Sequence, residues 1–152
     1  MDHYRPTLFP SASHFGQYLS RTLSLCLFAL LSCTVSLAAD SPPSADELMQ
    51  RGRAAAHQGA FEEALLAWKA AADLYDQTGE TKGHIHALTQ AAFAARTLGH
   101  VNQAFLQEEL ALHLARKLHD PHLLALTLSE LGKTYVANHQ YEVAADYLTQ
   151  AS

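Results

Sequence analysis

Laid over itself at a shift of forty residues, this chain falls into register three times. Gly59, Phe61, Ala64, Trp68 and Ala71 fall on Gly99, Val101, Ala104, Glu108 and Ala111, and then on His139, Tyr141, Ala144, Leu148 and Ala151. Upstream, Leu48 falls on Leu88 and Leu128, and Gly52 on Ala92 and Gly132. Small, bulky and turn-forming residues that recur together at one period specify a stack of similar units rather than a bundle with one centre. Each such unit buries its apolar face only against its neighbours.

Within a unit the residues read as helix and turn. The region is rich in alanine, and no alternating segment is long enough for a strand. Asp40-Ser-Pro-Pro-Ser44 is a linker whose prolines stop any upstream helix. Ser44 and Glu47 then have the spacing of a capping box. Gly59 and Gly99 suit the left-handed conformation that ends a helix, and in the third unit Asn138-His139 must do so, with Asn138 expected to adopt it. Asp120-Pro121 offers an N-cap followed by proline at the first helical position. Small residues at Gly52, Ala64 and Ala71 let two helix backbones approach closely, with Phe61 and Trp68 filling the space on either side.

These positions carry a resemblance to the tetratricopeptide repeat (TPR) family over residues 45–152. Its motif asks for small residues at the eighth, twentieth and twenty-seventh positions and an aromatic at the seventeenth. Gly52, Ala64, Ala71 and Phe61 meet this in the first unit, and Gly132, Ala144, Ala151 and Tyr141 in the third. Ala92, Ala104 and Ala111 match in the second, with Val101 in place of the aromatic, and Tyr135 matches the family's eleventh-position tyrosine. The resemblance implies an all-α, right-handed superhelical TPR solenoid of antiparallel helix pairs. It would have about three units (45–84, 85–124 and 125–152), the last incomplete. Position four is Leu in every unit, the terminal proline of helix B is absent, and the period exceeds the usual length of about 34. The extra residues lie between helix B and the next helix A, so both helices should gain about a turn there, as in the long-helix variants resembling kinesin light chain.

The first 39 residues look unlike the rest. Arg5 and Arg21 precede an uncharged stretch from Leu23 to Ala39 with an apolar core at about 23–37, and Ser36 and Ala38 have the small-residue spacing of a leader-peptidase site. This describes a secretory signal peptide cleaved near Ala38/Ala39, giving a periplasmic or secreted protein. Leu30-Leu31-Ser32-Cys33 loosely resembles a lipobox, which offers membrane anchoring through Cys33 as the alternative. Cleavage would remove both cysteines, Cys26 and Cys33, leaving neither a disulfide framework nor a thiol nucleophile. Setting aside Arg5, Arg21 and Asp2, the mature part keeps eight Lys/Arg against fourteen Asp/Glu. That sign excludes nonspecific attraction to nucleic acid or to a bulk anionic membrane.

No catalytic constellation is evident, and no cofactor or metal is expected. His84 and His86 are two apart and point in different directions on a helix, and no third ligand accompanies His119 and His122. The histidines read as solvated groups at helix ends, and the acid pairs Glu62-Glu63 and Glu108-Glu109 as solvated helix faces. Binding is the better expectation. In the TPR family helix A lines the concave groove, and its groove positions carry over to Met49, Arg53, His57, His86, Thr89, Phe93, Arg96, Ser129 and Lys133. Asp46, Ala56, Thr97, Leu126, Val136 and Ala137 occupy the remaining groove positions.

Three cations, Arg53, Arg96 and Lys133, thus share one face of an acidic chain. They imply a partner protein or peptide with acidic groups, with Phe93 and Met49 making apolar contact. The plainer alternative is that these cations only solvate helix A. The Asn-bearing carboxylate clamp of chaperone-binding TPR domains is unmatched, since Phe93 stands where Asn belongs. Val143, Tyr147, Leu148 and Ala151 should lack a covering helix, which implies either a longer protein or self-association through the open C-terminal helix. Exported arrays of this kind often precede a caspase-like (CHAT-type) enzymatic domain, so a regulatory segment of a larger enzyme is the second functional expectation.

Overall fold

The computed structural model describes residues 42–152, which form six α-helices and, among the described residues, no strand. The expected signal peptide, Cys33 and the start of the linker lie outside the described residues. The helices are α1 (Ala45–His57), α2 (Phe61–Thr78), α3 (Thr81–Thr97), α4 (Val101–Leu118), α5 (Pro121–Ala137) and α6 (Tyr141–Gln150). Each packs on the helices before and after it, and α3 also packs on α5. No helix among the described residues is long and apolar enough to cross a membrane.

Local chemistry sets the boundaries. Ser44 accepts from the Glu47 amide while the Glu47 carboxylate accepts from the Ser44 amide, closing the capping box that starts α1. Asp120 accepts from the amides of His122 and Leu123, with Pro121 opening α5. Helices α2 and α4 are both 18 residues long, and α3 and α5 both 17, against 13 for α1 behind the prolines. The extra length thus falls where the forty-residue period puts it.

The turns repeat as well. Gly59, Gly99 and His139 all have positive φ, at 77°, 78° and 61°. Contrary to the sequence expectation, His139 takes the left-handed conformation, while Asn138 keeps φ −92° and its amide donates back into the last turn of α5. The backbone reverses at the register position of the glycines, and asparagine's greater tolerance of that conformation one residue earlier does not move it. A second series, Gly79 and His119, also forty apart, ends α2 and α4 with positive φ.

The small-residue positions are buried as expected: Ala64, Ala71, Ala104 and Ala111 are fully enclosed. A methyl group built at Gly52 would collide with the Trp68 indole, and one at Gly132 would come within 2.8 Å of Leu148. Gly83 meets the ring of Tyr75 in the same way, at 2.6 Å. The Trp68 indole N–H donates to the Met49 carbonyl at 3.3 Å, so the large side chain is buried without an unpaired polar atom.

Two side chains depart from the sequence expectation. His84 is buried, with its Nδ1 3.4 Å from an Asp76 carboxylate oxygen, rather than solvated at a helix end. Glu108 is fully enclosed, whereas its neighbour Glu109 is exposed. The Glu108 position is the one Trp68 fills in α2, so its place in the repeat overrides the preference of a carboxylate for water. At the far end Val143 and Leu148 are 38% exposed, whereas Tyr147 and Ala151 are half-buried, Tyr147 stacking on Tyr135 at 5.1 Å.

Candidate functional site

The expected groove residues lie on α1, α3 and α5, and twelve residues, six of them from the nine expected, line two adjoining depressions. The first, of about 260 Å³, is lined by Arg53, Ala56 and His57 from α1, Phe61 and Trp68 from α2, and Gln90 and Phe93 from α3. The second, of about 390 Å³, is lined by Thr89, Gln90, Phe93 and Arg96 from α3 and Leu126, Glu130 and Lys133 from α5. Gln90 and Phe93 belong to both and form the ridge between them. Spacing explains the ridge, since residues three apart on α3 share a face. Phe93 meets Phe61 edge to face with centroids 6.0 Å apart, and the Arg96 guanidinium lies 5.9 Å from the centroid of the Phe93 ring.

Met49, His86 and Ser129 line neither depression. Met49 is buried in the core beneath Trp68, so it offers no apolar contact to a partner. His86 is exposed and Ser129 half-buried.

The three cations differ sharply. Arg53 is exposed and makes no ion pair among the described residues. Arg96 is nearly enclosed: it donates through Nη1 to Glu108 at 3.1 Å and to Thr134 Oγ1 at 2.9 Å, and through Nη2 to Glu130 at 2.9 Å. Lys133 also donates to Glu130, at 2.6 Å. The three cations are thus not an equivalent row: Arg96 is held by the enclosed Glu108 and by Glu130, and Lys133 by Glu130 in the lining of the second depression. Glu130 was missed, although an acid three residues before Lys133 on a helix is an available signal. Glu108 was missed because a carboxylate at a core position looks like an ordinary surface residue when read alone.

Burial pushes the Glu108 carboxyl up to about 8, against the lowering effect of Thr134 and Arg96. Burial acts on Glu130 too, but Lys133 and Arg96 outweigh it and hold that carboxyl below its usual range. Glu108 Oε1 accepts from Arg96 and Thr134, while Oε2 is buried with no hydrogen-bond partner. Among the described residues no group of three metal-ligating side chains converges. The arrangement sets the apolar rings of Phe93 and Phe61 in the same depression as the exposed guanidinium of Arg53. No protein-family model matches this chain, and no curated protein matches it.

Proposed function

We propose that this is an exported TPR-type scaffold that binds a partner protein or peptide along the face formed by α1, α3 and α5, and that it performs no chemistry. In this reading α1–α2, α3–α4 and α5–α6 are successive repeat units of a right-handed solenoid, and the odd-numbered helices are the groove-lining ones. The observation that carries it is the pair of depressions joined at Gln90 and Phe93, to which α1, α3 and α5 contribute six of the nine side chains expected from their repeat positions. Helix lengths and left-handed turns at a forty-residue spacing support the repeat itself.

The charge layout narrows the partner. Arg53, with His57 one turn further along α1, favours an acidic group at the α1 end, adjacent to an apolar side chain resting on Phe93. The α3–α5 end, where Arg96 and Lys133 face Glu108 and Glu130, favours uncharged or apolar groups while all four are ionised. Selection of a random peptide library on the full chain should enrich one Asp or Glu next to a large apolar residue. Arg53→Glu and Phe93→Ala should each abolish the enrichment. Peptides that bind equally well to both variants would remove this face from consideration.

A further inference from the structure

We infer that Glu108, buried behind the groove, acts as a proton-controlled specificity residue: when it is protonated, the cluster of Arg96, Lys133 and Glu130 presents one net positive charge to the α3–α5 depression, and when it is ionised that charge is cancelled. The inference rests on the peptide-binding reading of this face. Its physical basis is a chain of contacts reaching from the core to the groove. Glu108 Oε1 holds Arg96 Nη1 at 3.1 Å, and Arg96 itself lines the depression beside Phe93, Leu126 and Glu130.

The charged groups around Glu108 are few. Arg96 faces it from α3; Glu130 and Lys133, with the Thr134 hydroxyl and the Tyr135 phenol, face it from α5; Glu109 follows it on α4. Glu109 is exposed, and of the other four, ionised Glu108 and Glu130 cancel Arg96 and Lys133, so that set is neutral. Protonating Glu108 leaves it with one positive charge. The enclosed position and the orphaned Oε2 favour the neutral acid, because burying an unpaired carboxylate oxygen costs far more than burying an unpaired hydroxyl. Titration near neutral pH follows from the same burial. The equivalent position in α2 is Trp68, which has no charge to change, so the device belongs to one end of the groove only.

Two measurements on the full chain test this. Carbon-13 NMR of the glutamate carboxyls, with Glu108→Gln for assignment, should show Glu108 losing its proton in the mildly alkaline range. A short synthetic peptide of alternating glutamate and leucine should bind more tightly at about pH 6.5 than at about pH 9.5. The difference should be roughly fivefold or more, the lower edge of ordinary coupling between sites. Glu108→Gln should keep the tighter affinity at both pH values, and the matching glutamine–leucine peptide should show no such change. By reciprocity the acidic peptide should raise the Glu108 midpoint.

A Glu108 carboxyl that stays ionised across this range overturns the inference without any variant having to fold. So does acidic-peptide binding whose pH dependence is the same with Glu108→Gln. Binding that shifts no signal from Phe93 or Leu126 at either pH overturns the groove reading as well.

Discussion

The α1–α2 contact and the α3–α4 contact place different chemistry at one repeat position. In the first, Trp68 lies against Gly52 and spends its single polar atom on the Met49 carbonyl. In the second, Glu108 stands at that position and needs Arg96, Thr134 and, through Arg96, Glu130 to be tolerated. The indole gains its stability from buried apolar surface and tight fit. The carboxylate gains specificity of contact at the expense of desolvation, and one of its oxygens still goes unpaired. One backbone position can thus serve as a packing wedge in one place and as a polar junction tying three helices together in another.

The comparison can be broken at either end. Trp68→Ala should cost about 3–5 kcal/mol in denaturant unfolding, since it empties a fully enclosed site beside a glycine too close to collapse around it. A loss below about 1 kcal/mol would mean the wedge is not what holds α1 to α2. At the polar junction, Arg96→Met should cost about 1–3 kcal/mol because it takes a donor from the buried Glu108 carboxyl and leaves Glu130 with Lys133 alone. Adding Glu108→Leu to that variant should recover most of the loss, making the second contact resemble the first. A double variant as unstable as the single one would show that Glu108 is not the group left unsatisfied.

The pH dependence of stability sharpens the same contrast. The folded-state carboxyl of Glu108 lies near 8 against an ordinary 4.5, so the native state holds a proton that the unfolded chain releases. Its stabilisation is complete below about pH 4.5 and disappears as pH rises through about 8, a change on the order of a few kcal/mol. Asp120, held low by Lys82 and by its capping bonds, and Glu130 act in the opposite sense, contributing stability that is lost in acid. Stability should therefore peak at mildly acidic pH, and Glu108→Gln should flatten the alkaline side of that curve.

Two smaller changes probe the shared frame. Ala64→Leu should cost about 1–3 kcal/mol, because the site is fully enclosed and the helices there cannot separate without loss. An unchanged melting temperature would contradict close packing between α1 and α2. His139→Gly should stabilise by at most ~1 kcal/mol, since glycine relieves the left-handed conformation but frees the unfolded chain. Asn138→Gly, one residue earlier, should give no gain.

Much of the helical layout was legible because each signal is local or periodic. A proline at a first turn, a serine and a glutamate three apart, and glycines forty apart each act on the backbone beside them. Helical spacing puts residues 53 and 57 on one side of α1, and 89, 93 and 96 on one side of α3, whereas their lining of two adjoining depressions comes from packing. Met49 was misjudged: a family position places a residue on a helix, but the Trp68 indole across the interface buries it.

The sequence by itself determined where the helices start and stop, their common period, and which small residues permit close approach, since each depends on neighbours a few positions away or on simple repetition. Only the tertiary structure decided which charges are free. Whether Arg96 meets a partner or a buried carboxylate depends on Glu108 and Glu130, 12 and 34 residues away and brought within hydrogen-bond reach by helix packing. Electrostatic energy depends on distance and burial in space, and neither is written in the order of residues.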